Sequence, residues 1–292
     1  MGFTLLILAG GLGSRFNGAK QLHGIGPNGE LLMEYSIHDA IKNGCTKVIV
    51  LSNHECIPEL QVKLTYLHSK IKIYFVDQFK FDPDYPNYRE RPWGTGHAVL
   101  SCSKFISEPF LLINADDFYG HDAYVGAKQM MNHVDFQNYG MIAYKLENTL
   151  SEFGGVSRGV CNTRQNELVD VKEYTNISLE DNIIKCDQTD ARINKDHLVS
   201  MNLWVLNPSI FAYLNKAFEI FYDSNKDKAS EELFLPTVIN NLIKDKQLMV
   251  RLNSTEASWF GLTYAKDLDQ AKASISSLIN REEYPLILSS NG

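Results

Sequence analysis

The chain has 292 residues, 44% of them hydrophobic and 22% charged, enough apolar material for one large α/β core or two small ones. That excludes a disulfide-stapled mini-protein and a chain disordered throughout. With 28 basic against 35 acidic residues the net charge is −7, so no general grip on nucleic acid or on an anionic membrane is expected, and any bound phosphate must be held locally.

Residues 3–8 form an apolar run that no basic segment precedes and that enters a glycine-rich, charged loop, so they read as a strand and not as a signal peptide. No apolar run reaches the length of a membrane span. Met33, Ile37, Ala40 and Ile41 recur at helical spacing and Gly44 closes that helix; a strand follows at 47–51. A helix around 59–67, a strand at 72–76, a helix over about 97–105 and a strand at 110–113 complete a βαβαβαβ order, which predicts a parallel sheet with helices on both faces. Strands at 140–145, 155–160, 167–172 and 199–206 lie close enough in sequence to pair antiparallel, so the sheet is expected to be mixed. Leu235, Val238, Ile239 and Leu242 make one helical stripe, 247–252 a strand, and Leu268, Ala271, Ile275, Leu278 and Ile279 a second stripe. Segments 178–197 and 223–229 are polar and read as surface loops or lids. Cys45, Cys56, Cys102, Cys161 and Cys186 contain no C-x-x-C pair, so reduced thiols in a cytoplasmic protein are expected.

The first chemical signal is Leu8-Ala9-Gly10-Gly11-Leu12-Gly13-Ser14-Arg15, directly between a strand and a helix. Glycines there let backbone N–H groups approach phosphate oxygens with no Cβ in the way. Phe16 stands where a dinucleotide fingerprint needs its third glycine, and the P-loop pattern is absent. Arg15 and Lys20 place two cations beside the loop.

At these residues the chain resembles the sugar-1-phosphate nucleotidyltransferases, whose opening motif is a strand, then G-x-G-[ST]-R, then a lysine. Gly94-Thr95-Gly96-His97-Ala98-Val99-Leu100 is similar to the G-L-G-H-A-V-L segment of glucose-1-phosphate uridylyltransferases, and residues 111–121 to the strand-then-aspartate segment of thymidylyltransferases. Gly154-Gly155-Val156, Glu173, Ser200-Met201-Asn202-Leu203-Trp204 and residues 232–236 follow in family order. The resemblance implies one Rossmann-like α/β domain over 1–292, with a mixed, mainly parallel sheet and a β insertion on the substrate side. Its nucleotide-binding half would be about 1–135 and its sugar-phosphate-binding half about 136–292.

It further implies transfer of a nucleoside monophosphate from a triphosphate, UTP or dTTP before CTP, to a sugar 1-phosphate with loss of pyrophosphate. An anion attacks an anion, so charge neutralisation and alignment do the work. By resemblance the amides of Gly10, Gly11 and Gly13 with Ser14 hold the triphosphate, Arg15 clamps the leaving phosphates, Lys20 steadies the α-phosphate, and Asp116 is the Mg2+ ligand. Gln78 and the backbone amide near Gly96 would meet a pyrimidine edge; Gly155, Glu173 and Asn202 would hold the acceptor. Asp117 is open between a supporting role behind Asp116 and a solvated turn. Loop 79–92, with Phe81, Tyr85, Tyr88, Arg89 and Arg91, is open between a substrate lid, a contact in a homo-oligomer and an ordinary surface loop. His23, His54, His97 and His121 lack metal-ligand spacing and are assigned no catalysis.

Two residues depart from the family pattern: Tyr174 stands where a lysine commonly follows the glutamate, and Gly261 where a second metal-binding aspartate follows a tryptophan. Asp117 or Asp190 is left to compensate for the latter, with Asp117 expected to point away if its strand runs straight. A non-sugar phosphate acceptor, a nucleotide-sugar-dependent glycosyltransferase and a regulatory nucleotide-binding module stay open beside the main reading. A glycosyltransferase has no use for a glycine loop with Arg15 and Lys20 arranged for a pyrophosphate leaving group.

Overall fold

The computed structural model describes residues 2–11, 19–80, 91–151, 154–188, 192–228, 230–262 and 266–289. Its first strand, β1 (Phe3–Leu8), is apolar at nearly every position because both of its faces are covered: Leu5 and Ile7 enter one core and Leu6 the other. There follow α1 (Leu32–Lys42), β2 (Cys45–Ser52), α2 (Ile57–Lys63), β3 (Lys72–Asp77), α3 (Thr95–Leu100), β4 (Phe110–Asn114), the short β5 (Asp117–Phe118), α4 (His121–Met131), β6 (Asn138–Lys145), β7 (Val156–Arg164) and β8 (Glu167–Glu180). The chain continues through β9 (Ile183–Lys185), β10 (Leu198–Leu206), α5 (Ile210–Asn225), α6 (Leu235–Lys244), β11 (Met249–Thr255), β12 (Phe260–Gly261) and α7 (Asp267–Asn280).

The large sheet has the order β3-β2-β1-β4-β10-β6-β11-β8-β7, with β9 beside β8. Strands β3, β2, β1 and β4 are mutually parallel. Strand β10 runs antiparallel to β4 and β6, β11 parallel to β6, and β7 with β8 forms an antiparallel hairpin. The expected mixed sheet is therefore present. Residues Met33, Ile37 and Ala40 of α1 cover one face with Ala123, Ala127 and Met130 of α4; α3, α5 and α6 cover the other through Val99, Leu214 and Ile239.

Several boundaries differ from expectation for local reasons. The helix expected at 59–67 is α2 followed by a separate 3-10 turn, Thr65–Ser69, and α3 likewise gives way to Ser103–Phe105. The polar segment beginning at 178 is not all loop: β8 runs to Glu180 and pairs with β9 across a turn in which Asp181 and Asn182 take positive φ. The segment beginning at 223 is still helical to Asn225, inside α5.

A third, smaller core closes the molecule at the C-terminal end of β4. Phe118 stacks on Phe260 at 4.6 Å, and both belong to the ribbon β5–β12. Tyr284, past α7, sets its ring against Tyr35 and Phe118 and donates its hydroxyl to Asp39, whose other oxygen meets His121 Nδ1 at 3.0 Å. Four of the five cysteines are buried and all are free, in keeping with reduced thiols. Among the described residues no helix is long and apolar enough to cross a membrane.

Candidate active site

Parallel strands that end together leave a crevice at their carboxyl ends, and β1 and β4 end side by side, with Leu8 opposite Asn114. Past β1 the chain enters the glycine loop. Ala9 donates its N–H to Leu51 O at 2.7 Å, while its carbonyl accepts from Ser52 Oγ at 2.8 Å and from Gln21 Nε2 at 2.9 Å. The loop entrance is thus braced from two sides. Gly10 is buried and packs so closely on Gln78 that a Cβ there would lie 2.4 Å from Gln78 Oε1. Gly11 is exposed, and among the described residues a Cβ on it would meet nothing within 4 Å. Gly13, Ser14 and Arg15 lie outside the described residues.

Lys20 and Asp116 are brought together: Lys20 Nζ forms an ion pair with Asp116 Oδ2, with side chains 25% and 20% exposed, so both remain within reach of a ligand. Asp117 is buried at the start of β5 and lies in the β5–β12 ladder directly opposite Gly261. A Cβ on Gly261 would come within 2.5 Å of Asp117 Oδ1. Asp117 therefore does not point away. Asn114 Nδ2 donates to Asp117 Oδ2 at 2.8 Å and the Tyr119 hydroxyl lies 3.2 Å from the same oxygen. Burial, followed by repulsion from Asp116, pushes the Asp117 carboxyl up to about 7, against the pull of Asn114, Lys20 and Arg158.

A cavity of about 520 Å3 opens beside this pair, lined by Asp117, Arg158, Glu173, Asn202, Thr237 and Asn240 among others. Glu173 is exposed at the cavity wall. Gly155 sits at the entry to β7, where a Cβ would strike Asn176 Oδ1 at 2.0 Å, so its closest neighbour is the hairpin itself. Asn202 takes a positive φ of 62° at an irregularity in the β10–β6 register. Its amide is largely spoken for: Trp204 Nε1 donates to Asn202 Oδ1 at 2.9 Å, and Asn202 Nδ2 donates to Asn114 Oδ1 at 2.7 Å. A relay of amides thus runs from buried Trp204 through Asn202 and Asn114 to Asp117.

Gln78 is buried at the end of β3, and its Nε2 donates to Gly10 O at 3.2 Å. It braces the glycine loop in this structure. The N–H of Gly96 is given to Leu233 O at 2.8 Å, which takes that donor away from the expected base contact. The glycine allows close approach instead: a Cβ at Gly96 would lie 3.0 Å from the same carbonyl. Leu233 N donates to Trp93 O and Leu235 N to Thr95 Oγ1, so residues 93–96 and 233–235 are stitched together. His97 is buried against the Phe218 ring at 4.6 Å, in keeping with a structural place. Of loop 79–92 the structure describes only the two ends, and Phe81, Tyr85, Tyr88 and Arg89 lie outside it, as does Asp190.

Four contributors were not singled out from the sequence. Asn114 and Tyr119 hold Asp117, and Gln21 holds Ala9; only their nearness to the D-D pair and to Lys20 could have flagged them. Arg158 stacks over Trp259 at 4.8 Å and donates to Thr149 Oγ1 and to the carbonyls of Ser157 and Thr149. It pairs across β7–β8 with Tyr174, the residue that replaces the usual lysine. Burial pulls its guanidinium down to about 10.

The donor set fits a hard divalent cation. Asp116 and Asp117 offer carboxylate oxygens at one strand end, Asp117 Oδ1 accepts no hydrogen bond from the described residues, and mutual repulsion would be relieved by a cation. No cluster of three or more His, Cys, Asp or Glu is assembled among the described residues, so a softer, all-protein metal cage is absent there.

The family model described as nucleotidyl transferase matches residues 4–277. No curated protein matches the chain. Among solved structures, an inositol-1-phosphate CTP transferase from T. maritima is similar at a TM-score of 0.66 and 16% identity, over 95% of this chain and 96% of that one. A putative glucose-1-phosphate thymidylyltransferase from Bacillus anthracis is similar at 0.65 and 14%, over 93% and 94%. A UDP-glucose pyrophosphorylase is similar at 0.61 and 17%, over 95% and 99%.

Proposed function

The chain belongs to the nucleotidyl transferase family, and on that premise we propose that it transfers a nucleoside monophosphate from UTP or dTTP to a sugar 1-phosphate, releasing pyrophosphate and forming an activated sugar. The observation that carries this reading is the convergence of three features near the ends of β1 and β4: the exposed Gly11, the Lys20–Asp116 pair, and the cavity walled by Glu173, which Asn114 and Asp117 join to that end of the sheet. The first serves phosphates, the second a charge-dense transition state, and the third an acceptor rich in hydroxyl groups.

In this reading the amides of Gly10, Gly11 and Gly13 with Ser14 hold the triphosphate, and Arg15 and Lys20 neutralise the leaving and transferred phosphates. An arginine fork suits two oxygens at once and a lysine acts as a point charge. Asp116 would hold Mg2+, which supplies further neutralisation of the phosphates when bound. Glu173 accepts from acceptor hydroxyls, with Gly155 contributing backbone. Asn202, bonded to Trp204 and Asn114, fixes the floor of the cavity more than it offers itself to a ligand. The nucleotide half is taken as about 1–135 and the acceptor half as about 136–292, in a cytoplasmic enzyme.

One observation favours a second acceptor class. Tyr174 removes the usual lysine, and the first of the similar structures acts on an inositol phosphate, so a cyclic polyol phosphate belongs among the acceptors. The test is a matrix of purified protein, magnesium, each nucleoside triphosphate and a panel of sugar and cyclitol phosphates, scored by pyrophosphate release that requires both substrates. Release with a pyrimidine triphosphate and one acceptor class is expected. Transfer from a ready-made nucleotide sugar, with no pyrophosphate formed, would replace this reading with a glycosyltransferase.

A further inference from the structure

Gly261 leaves the site one side chain short of the pattern implied by resemblance, and the structure has filled that space. In the β5–β12 ladder Asp117 stands directly opposite Gly261, and its Oδ1 lies 2.5 Å from where a Cβ of residue 261 would begin. A side chain at 261 would therefore require the Asp117 carboxylate, in its present place, to move aside. Asp117 is 7% exposed and lines the cavity. Asn114 Nδ2 donates to its Oδ2, near which the Tyr119 hydroxyl, shared with Met201 O at 3.0 Å, also lies, and no described cation pairs with it within salt-bridge distance. Its Oδ1 faces Gly261 and accepts no hydrogen bond from the described residues, while the neighbouring Asp116 carries Lys20.

Asn114 cannot turn its amide around without breaking two contacts. Its Oδ1 already accepts from Asn202 Nδ2, whose own Oδ1 is fixed by the buried Trp204 indole. The NH2 of Asn114 is thereby committed to Asp117 Oδ2, which fixes the carboxylate and leaves Oδ1 facing Gly261.

We infer that Asp117, reaching from β5 into the space a side chain at 261 would occupy, is the second carboxylate ligand of the divalent cation, and that Asn114 is its positioning residue. The inference rests on the nucleotidyl-transfer reading for the identity of the cation. A site of two carboxylates completed by substrate phosphates is the habit of magnesium, so binding without a triphosphate is weak.

The test uses Mn2+ as the probe, followed by water-proton relaxation on the intact chain, first alone and then with the triphosphate that best supports turnover. If no triphosphate supports turnover, UTP is used. Asp117→Asn keeps the size and the Asn114 contact and is expected to weaken Mn2+ by about tenfold or more, since even an outer-shell partner is typically worth about 10–100-fold in metal affinity. Asn114→Ala is expected to weaken it less, and Asn114→Gln to recover part of that loss. The decisive variant is the exchange Asp117→Gly with Gly261→Asp, which moves the carboxylate from β5 to β12. Residue 261 does not need a positive φ, so the backbone accepts aspartate, although the edge of the Trp259 ring must shift. The exchange is expected to restore Mn2+ binding relative to Asp117→Gly alone. Wild-type affinity in Asp117→Asn, no Mn2+ binding in the wild type even with triphosphate, or an exchange as weak as Asp117→Gly would each overturn the assignment. Failure of every substrate pair to release pyrophosphate would remove the transfer reading and leave these affinities standing.

Discussion

Strands β1 to β4 and the wall formed by β6, β7, β8 and β10 share one sheet, yet they build the site in different ways. The central parallel strands β1 and β4 are buried on both faces and offer side chains to the site only where they stop, so the candidate residues Gly10, Gly11, Asn114 and Asp116 come from strand ends and the turns beyond them. The wall delivers function from within its strands: Glu173, Arg158 and Asn202 are strand residues, one of them at positive φ. A loop after a fully buried strand can be rebuilt with little effect on the core. A residue within a half-exposed strand is tied to its cross-strand neighbours, which is why Tyr174 must be understood together with Arg158.

The comparison breaks most visibly at the strand ends. If Asp116 holds the cation as proposed, Asp116→Asn should lower turnover by about 10³ and leave the fold intact, since the side chain is partly exposed and paired only with Lys20 among the described residues. Steady-state rates beside circular dichroism test it, and near-normal turnover would dismiss Asp116. Arg15→Ala should cost about 10²–10³ in rate with little change in melting temperature, and Arg15→Lys should recover part of it. An active alanine variant would remove the phosphate clamp.

On the wall the effects should be smaller and fall on the acceptor. Glu173→Gln keeps the shape and loses the charge, so the acceptor KM should rise about tenfold, one hydrogen bond to a charged group, while the triphosphate KM stays put. Equal changes in both would move Glu173 out of the acceptor site.

Asp117 tests the junction between the two regions through pH. Its folded carboxyl is raised to about 7 from an ordinary value near 4, so the folded state holds the proton more tightly than the unfolded chain. That contribution to stability is fully present below the unfolded value and is lost as pH rises through about 7. Without metal, Asp117→Asn should therefore melt several degrees higher than wild type at pH 8, and the gain should shrink toward pH 5. A constant difference across that range would contradict the shift. The smallest expected effect is at Gln78. If its amide meets a pyrimidine edge, Gln78→Ala reduces base discrimination several-fold; if it only braces Gly10, every triphosphate KM rises alike.

The parallel half was legible because its chemistry is periodic: β1, β2, β3 and β4 appear within two residues of their apolar runs, and α1 follows its helical stripe. Lys20 and Asp116 are each singled out by family order, and the structure brings them together. What escaped was set by tertiary contacts. The ribbon β5–β12 has two residues per strand and no period to detect. Strand β8 is exposed at many positions, so its last residues look like loop, and α5 presents aromatic residues on several sides because it packs on Trp93 as well as on the sheet. The relay through Asn114 and Asn202 joins strands far apart in sequence, and the Gly96 N–H was lost to a carbonyl near α6.

The tie between Tyr284, Asp39 and Phe118 has a temporal meaning during synthesis. Strands β1 to β4 can pair as soon as they emerge, but the turn carrying Asp116 and Asp117 waits first for β12 and then for Tyr284 to seat itself between α1 and Phe118. The turn that carries the two carboxylates is thus locked late, and a nascent chain that has made all four parallel strands still lacks its finished surroundings until residue 284 has left the ribosome.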